Sequence, residues 1–157
     1  MENKESINDS YQTPLVDRYG DSEMSYNFSN NRKFRLWREL WIVLAESERE
    51  LGLDIITEEQ INEMRKFRDD INYDVAREKE SKIRHDVMAH IFAFGEQCPN
   101  ARPIIHLGAT SAFVQDNSEL VQMKYGLTVI LKKLVNVIAN LKTFAEKNKN
   151  IITLGFT

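Results

Sequence analysis

The chain has 157 residues, of which 42% are apolar, so it can bury a core and form one domain or one domain and the start of another. Its 21 basic and 24 acidic residues are well mixed and give a net charge of −3. That balance argues against nucleic-acid or membrane-surface binding, since both use a concentrated basic face. A single cysteine excludes an internal disulfide and fits a reducing compartment.

The start of the chain is polar and has neither the apolar core of a signal peptide nor an Arg-rich transit pattern. No apolar run approaches the ~20 residues that a membrane span needs. We therefore predict a disordered extension over residues 1–10 of a cytoplasmic protein. Residues 11–30 contain Pro14, Gly20 and many Ser, Asn and Asp, which predicts an irregular leader.

Helical periodicity dominates the next segments, and no segment has the pattern of a strand. The first predicted helix, over residues 31–51, has an apolar face formed by Phe34, Trp37, Trp41, Leu44 and Leu51. Thr57 and Gln60 form a capping box, which predicts a short helix from residue 58 to about 67. Two further helices are expected over residues 74–82 and 85–97, followed by a loop over residues 103–111.

A long helix is predicted from Asp116 or Asn117 to about Lys147, a length on the order of 45 Å. Its apolar residues recur every seven positions, at Leu120, Leu127, Leu134 and Leu141 and in a second series through Leu131, Ile138 and Ala145. The preceding helices are too few and too short to cover the apolar residues of such a long helix. We therefore expect further chain or other subunits to cover it, and we interpret the sequence as a fragment of a longer, oligomeric protein.

Three polar clusters could carry chemistry. In the leader, Arg18 and Tyr19 offer a planar cation, a flat ring and a hydroxyl, although such a pair in a polar loop is usually a solvated surface feature.

Cys98 belongs to none of these clusters. It precedes a proline at a helix end and is expected to be a small, partly buried apolar residue rather than a nucleophile.

The second cluster is Arg84, His85 and Asp86, at the start of a predicted helix where free N–H groups attract anions. Asp86 and His90 are four residues apart, so a simple helix pair explains His90. His85 is about 140° around the helix from His90, so the two histidines do not form a metal pair.

The third cluster is the His106–Ser111 segment. Thr110 and Ser111 could be ordinary helix-capping residues, or their hydroxyl and backbone N–H groups could hold an anion. Taken together, the three clusters suit a small molecule with several negative charges.

Five collinear stretches resemble the adenylosuccinate lyase family of animal type, within the fumarase and aspartase superfamily. These stretches are residues 11–19, 34–41, 84–90, 104–111 and 153–157. The resemblance covers nearly everything after residue 10. It implies an all-α fold in which a small helical amino-terminal domain (residues 11–111) precedes the first long helix of a central helical bundle (residues 112–157). Another lyase of the superfamily, such as an argininosuccinate lyase, matches the sequence of residues 84–90 less well.

The resemblance further implies a cytoplasmic homotetramer with active sites built from three subunits and with no metal or organic cofactor. Such lyases eliminate fumarate from adenylosuccinate and from the succinyl-carboxamide ribotide SAICAR, two nucleotide substrates of purine biosynthesis. Arg18 and Tyr19 match positions near the nucleotide phosphate, and Thr110 and Ser111 match a carboxylate-binding loop. Arg84, His85 and Asp86 match a second binding strip, in which His85 contacts substrate and is a candidate acid. No nucleic-acid or membrane partner is expected.

In the family, the last stretch is followed directly by a catalytic histidine, and a mobile serine loop lies further on; neither is among these 157 residues. We therefore expect no catalytic residue to be retained, apart from the possible role of His85, and no lyase activity from this chain alone. The alternative hypothesis is a non-catalytic short isoform that binds the full-length lyase through its long helix.

Overall fold

The computed structural model describes residues 13–155; the predicted extension over residues 1–10 lies outside this range. All regular structure in the described part is helical, as the sequence predicts. The seven helices of residues 13–155, in chain order, are α1 (Pro14–Asp17), α2 (Ser22–Asn27), α3 (Asn30–Glu50), α4 (Glu58–Lys66), α5 (Tyr73–Ile83), α6 (Asp86–Gln97) and α7 (Ser111–Asn148).

Helix α3 is the centre of the fold because α2, α4 and α7 all pack against it. Its Trp37 and Trp41 side chains are almost completely buried and contact each other edge to face. The predicted apolar face is thus confirmed there, but Leu51 is 83% exposed. Leu51 is the C-cap residue, beyond the last helical turn, so the helical spacing no longer places it against the core.

The α4 start is the predicted capping box: the Gln60 backbone N–H donates to the Thr57 hydroxyl, and the Gln60 side chain accepts from the Thr57 N–H. Helices α5 and α6 pack closely against each other and are joined by only two residues. The core continues through Val87 and Phe94 of α6 into the turn after that helix, where Ile104 and Ile105 are buried.

The leader is more ordered than its composition predicts, because it contains α1 and α2. Thr13 and Asp21 cap these helices by accepting bonds from backbone N–H groups. Helix α2 is then fixed to α7 by two reciprocal hydrogen bonds: Asn27 Nδ2 donates to the Gln122 carbonyl over 2.8 Å, and Gln122 Nε2 donates to the Asn27 carbonyl over 2.5 Å. Short polar segments are thus held by long-range contacts that a local reading of composition does not reveal.

Helix α7 has 38 residues and begins at Ser111, five residues before the predicted start at Asp116. The extra turn forms because Val114 is fully buried against the core. From Ile130 to Lys147 every residue of α7 is exposed, which confirms the expectation that the preceding helices cannot cover it. None of the helices in the described part is both long enough and apolar enough to cross a membrane.

Candidate functional site

The connection between α5 and α6 presents three of the predicted site residues in succession. Arg84 ends α5 in the left-handed conformation, with φ 54° and ψ 40°, which is uncommon for a residue other than glycine. His85 is then the N-cap of α6, and its Nδ1 accepts a bond from the Met88 backbone N–H over 3.3 Å. Asp86 opens the helix. The left-handed residue therefore ends α5 and allows α6 to begin two residues later, and His85 is held by its own cap bond.

The start of α7 lies beside this connection. Ser111 Oγ is 3.4 Å from His85 Nε2, and Gln115 Nε2 donates to Asp86 Oδ2 over 3.4 Å. An open cleft of about 440 Å³ lies between the two helix starts. The residues that line this cleft, the His85–Ser111 cleft, are Glu80, Arg84, His85, Asp86, Ser111 and Gln115. Four of the seven predicted substrate-binding residues therefore lie together.

His85 Nδ1 accepts from an N–H group, so the ring proton of neutral His85 is on Nε2, the atom that faces Ser111. In this tautomer the imidazole donates into the cleft. Ser111 accepts from it and keeps its own hydroxyl proton to donate to an anion.

Thr110 is the N-cap of α7, with extended backbone, but its side chain makes no capping hydrogen bond. One of the two predicted alternatives, an ordinary capping role, is therefore wrong for the Thr110 side chain. The first N–H groups of this 38-residue helix carry the positive end of the helix dipole, and Ser111 at the helix start lines the cleft. The α7 start thus has the groups that stabilise an anion.

His106 belongs to the third cluster but was not among the predicted site residues. Its backbone is left-handed, with φ 67°, and its Nδ1 accepts a 3.0 Å bond from the Trp41 indole N–H. Burial, followed by the nearby His85, lowers the pKa of His106 below its ordinary value. The sequence signal for this contact is the position of Trp41 on the buried face of α3, which places an indole N–H in the core where it needs an acceptor.

His90 is a core residue. Its ring stacks on Phe34 with centroids 3.7 Å apart and contacts Trp37 edge to face. The predicted Asp86–His90 pair is not formed, because Asp86 accepts instead from the Val87 N–H and from Gln115. Burial and then the charge of Arg38 lower the pKa of His90 to about 4, so the ring stays neutral at physiological pH.

Arg18 and Tyr19 lie elsewhere on the molecule. Both are exposed, and neither lines the His85–Ser111 cleft. The nearby Asp21 forms an ion pair with Lys133 of α7, 22 residues beyond Ser111 and therefore roughly 33 Å along the helix at ~1.5 Å per residue. Within one chain the structure does not bring Arg18 and Tyr19 to the cleft.

Cys98 is fully buried at the end of α6, and its Sγ lies 3.7 Å from the Glu63 carbonyl. Burial raises the pKa of its thiol to about 12, with Glu63 acting in the same direction. The thiol is therefore protonated and enclosed, which confirms the prediction of an apolar packing residue.

Comparison with curated proteins gives consistent matches to one kind of enzyme. An adenylosuccinate lyase of Schistosoma mansoni is 50% identical over 147 residues, which cover 94% of this chain and 30% of that protein. The adenylosuccinate lyase of Saccharomyces cerevisiae is 48% identical over 95% of this chain and 31% of its own length. That of Bacillus subtilis is 30% identical over 91% of this chain and 32% of its own length. No family model matches the chain.

The alignments cover similar shares of the two sequences at high and at low identity. Each covers nearly all of this chain, whereas the chain spans only about 30% of the length of the curated relatives that it matches.

Proposed function

The chain belongs to the adenylosuccinate lyase family, and on that premise we propose that it supplies part of the active site of a C–N lyase. The proposed reaction is the elimination of fumarate from adenylosuccinate and from SAICAR in purine nucleotide biosynthesis. The observation that carries the proposal is the convergence of Arg84, His85, Asp86 and Ser111 on one cleft at a helix start.

In this elimination a base removes a proton beside a carboxylate, charge builds on that carboxylate, and the C–N bond breaks as nitrogen is protonated. Donors that face the carboxylate lower the barrier as charge develops, each by ~3 kcal/mol. We assign this role to Ser111, Thr110 and the first N–H groups of α7. His85, which donates from Nε2 into the same cleft, is assigned to substrate contact or proton transfer.

We assign to Arg84 the attraction of the anionic substrate to the cleft. Its exposed guanidinium lines the cleft, and no ion pair of Arg84 is found among residues 13–155. Asp86 accepts from the Val87 N–H and from Gln115, so it fixes the α6 start and is assigned a positioning role.

Arg18 and Tyr19 are assigned to the nucleotide phosphate of a site in another subunit. This assignment follows from their distance from the cleft of their own chain, together with the planar, bidentate geometry that arginine offers to phosphate. It requires assembly. The exposed apolar surface of α7 supports a homotetramer in which long helices of several subunits pack together, since isolated apolar surfaces of this extent are rare in monomers.

A chimera tests the proposal. The aligned segment of the Saccharomyces cerevisiae lyase would be replaced by this chain, and fumarate release would be measured by absorbance. We expect an active chimera, and we expect His85→Gln and Ser111→Ala to lower kcat/KM by about a hundredfold. Arg77→Gln is the matched control, because Arg77 is an exposed α5 residue outside the cleft. A chimera that assembles as its parent does but releases no fumarate would refute the proposal.

A monomer of the 157-residue chain is expected to release no fumarate, because Arg18 and Tyr19 cannot reach the His85–Ser111 cleft within one chain. The same fumarate assay on the monomeric fraction of the purified chain checks this, and turnover above background in that fraction would contradict the multi-subunit site.

The exposed α7 surface also supports a second candidate function, a non-catalytic module that binds full-length lyase subunits. Co-expression with an affinity-tagged full-length lyase distinguishes the two. Retention of this chain in the tagged complex together with loss of activity favours the module. Absence of the chain from a normally assembled lyase removes this candidate.

A further inference from the structure

We propose that the chain has a second ligand site, which adjoins the His85–Ser111 cleft through the His85 side chain and binds a small organic anion with a flat apolar body. The site is a cavity of about 480 Å³, a size typical of small-molecule pockets. It lies between α5, α6 and the turn that follows α6. The residues of this Phe92 pocket are Lys79, Ile83, His85, Met88, Ile91, Phe92 and Arg102.

The walls of the pocket are mainly apolar, yet they are partly exposed. Ile83 and Met88 are 40% and 45% exposed, although both are large apolar side chains on well-formed helices. Ile91 is half-buried beside them. A flat ring lying on these three side chains would remove apolar surface from water, which is the main source of affinity in such pockets.

Two cations lie over the same aromatic ring at the pocket wall. Lys79 Nζ is 4.1 Å and the Arg102 guanidinium carbon 5.4 Å from the Phe92 ring centre. Neither forms an ion pair with any residue in the range 13–155, whereas the neighbouring Lys82 is paired with Glu78 over 2.5 Å. Both cations are therefore free of a carboxylate partner in this part of the chain, and an anion bound beside them at the pocket wall would be stabilised by their charge.

The orientation of Arg102 is built into the packing of α6. Gly95 is buried in the last turn of that helix, and a Cβ there would lie 2.8 Å from the Arg102 Cγ. The absence of a side chain at Gly95 lets the aliphatic part of Arg102 lie across the helix and brings its guanidinium toward Phe92. A helix-interior glycine costs about 1 kcal/mol relative to alanine, and here it makes room for that side chain.

The charge of the lining selects the ligand. The Phe92 pocket has no carboxylate in its lining, while the adjacent depression beside Lys79 is lined by Glu78 and Glu96. In that depression Lys79 and Lys82 balance the two carboxylates, whereas the cations of the Phe92 pocket have no carboxylate beside them in the pocket lining, so an anion prefers the Phe92 pocket. With cations at one wall and apolar side chains at the others, the fitting ligand carries a phosphate, sulfonate or carboxylate on an aromatic or heteroaromatic ring.

Methyl-selective NMR on the isotope-labelled 157-residue chain tests the site with 1-naphthyl phosphate as the probe. We expect saturable shifts of the Ile83, Met88 and Ile91 methyl signals. Inorganic phosphate, which lacks the ring, and 1-naphthol, which lacks the charge, should each bind at least about tenfold more weakly.

Charge removal provides the second test. The Lys79→Gln and Arg102→Gln double variant should bind 1-naphthyl phosphate at least about tenfold more weakly, with an unchanged methyl spectrum as the check on folding. The matched control is the Arg77→Gln and Lys82→Gln double variant, which loses the same two charges from exposed α5 positions. Three results would each overturn the proposal. The first is equal affinity of the Lys79/Arg102 variant and the wild type for 1-naphthyl phosphate, and the second is equal affinity of the wild type for 1-naphthol and 1-naphthyl phosphate. The third is a set of shifts confined to Leu134 and Ile138 of α7.

Discussion

The indole N–H of Trp41 donates a hydrogen bond to Nδ1 of His106 over 3.0 Å and so joins the centre of α3 to the turn that precedes α7. Because Nδ1 accepts, the ring proton of neutral His106 is on Nε2. The same residue has a left-handed backbone, with φ 67°, which costs energy unless surrounding contacts hold it. This partly buried bond therefore fixes the tautomer of His106 and helps to hold the turn that leads to Ser111.

Replacing Trp41 by Phe should release that tautomer. In the Trp41→Phe variant we expect the His106 pKa to rise toward its ordinary value, because burial decreases and Nδ1 loses the donor that favours the neutral ring. Nitrogen-15 shifts of the imidazole, followed through a pH titration, report both effects. Trp37→Phe is the control: that indole donates to Ser118 instead, so His106 should be unaffected. An unchanged Nε2–H tautomer in Trp41→Phe would contradict the assigned role.

Arg38 should be one of the residues on which stability depends most. It is 1% exposed, and its guanidinium donates to the carbonyls of Phe67 and Asp70 and to Gln97 Oε1, thereby joining α3 to the α4–α5 connection and to the end of α6. Burial lowers its pKa to about 10. In Arg38→Leu these acceptors lose a buried donor, so we expect a loss of about 3 kcal/mol in the free energy of unfolding.

Urea unfolding followed by tryptophan fluorescence measures this loss. Arg38→Lys should be nearly as damaging, since one ammonium group cannot replace a planar fork that serves three acceptors. Arg35→Leu on the same helix is the comparison: its exposed ion pair with Asp69 should be worth less than about 1 kcal/mol. Equal effects at the two positions would show that the buried network has no special weight.

Helix α7 illustrates how far sequence periodicity predicts packing. The heptad pattern predicts the helix and its length, but its apolar residues Leu120, Leu127 and Leu134 are all more than half exposed in the chain. The face that packs within the chain is formed by Val114, Ser118, Gln122, Gly126 and Val129. Most of this face is polar or small, because it is closed by hydrogen bonds such as Trp37–Ser118 and by close approach at Gly126 to Met24 and Phe28. Hydrophobic periodicity cannot identify a face of this kind.

The candidate site can be predicted only in part, because some contacts around it join residues that are far apart in the sequence. Local signals such as the helix start at Asp86 and the Thr110–Ser111 pair place the groups of the His85–Ser111 cleft on adjacent helix starts. The core position of His90 depends on stacking with Phe34, 56 residues earlier, and was missed because the spacing to Asp86 offered a simpler local pair. Residues far apart in sequence meet only through tertiary packing, which a single sequence does not specify.

The stability of the chain should depend on pH through His90. Its pKa is about 4 in the folded chain and near 6.5 when unfolded, so the unfolded state binds more protons as pH falls through this window. Stability should therefore decrease from pH 6.5 to pH 4, with a contribution from this residue of up to ~3 kcal/mol. His90→Gln cannot take up the proton and should show a flatter dependence, whatever its stability at pH 7.

The comparison uses urea unfolding at several pH values for wild type, His90→Gln and His85→Gln. His85→Gln is the comparison variant, because His85 is an exposed cap residue outside the core. The groups that act on His90 are Arg38, Asp86 and Lys33, and they are present in all three proteins. Identical slopes for wild type and His90→Gln would show that this imidazole does not resist protonation in the folded chain.

The exposed apolar surface of α7 should mediate self-association if the proposed homotetramer is correct. Leu134 and Ile138 are 51% and 57% exposed and lie one helical turn apart. Introducing Leu134→Glu and Ile138→Glu places two charges in the proposed contact. We expect sedimentation velocity to show association of the wild-type chain and a monomer for this variant, because buried, unpaired carboxylates oppose assembly strongly.

The Asn136→Glu and Asn140→Glu variant adds the same charge to the opposite side of the same helical turns and should still associate. Helix α7 packs on α3 through Val114 to Val129, outside the altered turns, so the folded monomer should retain its far-ultraviolet circular dichroism in both variants. Association of the Leu134/Ile138 variant at wild-type strength would exclude this surface as the subunit contact.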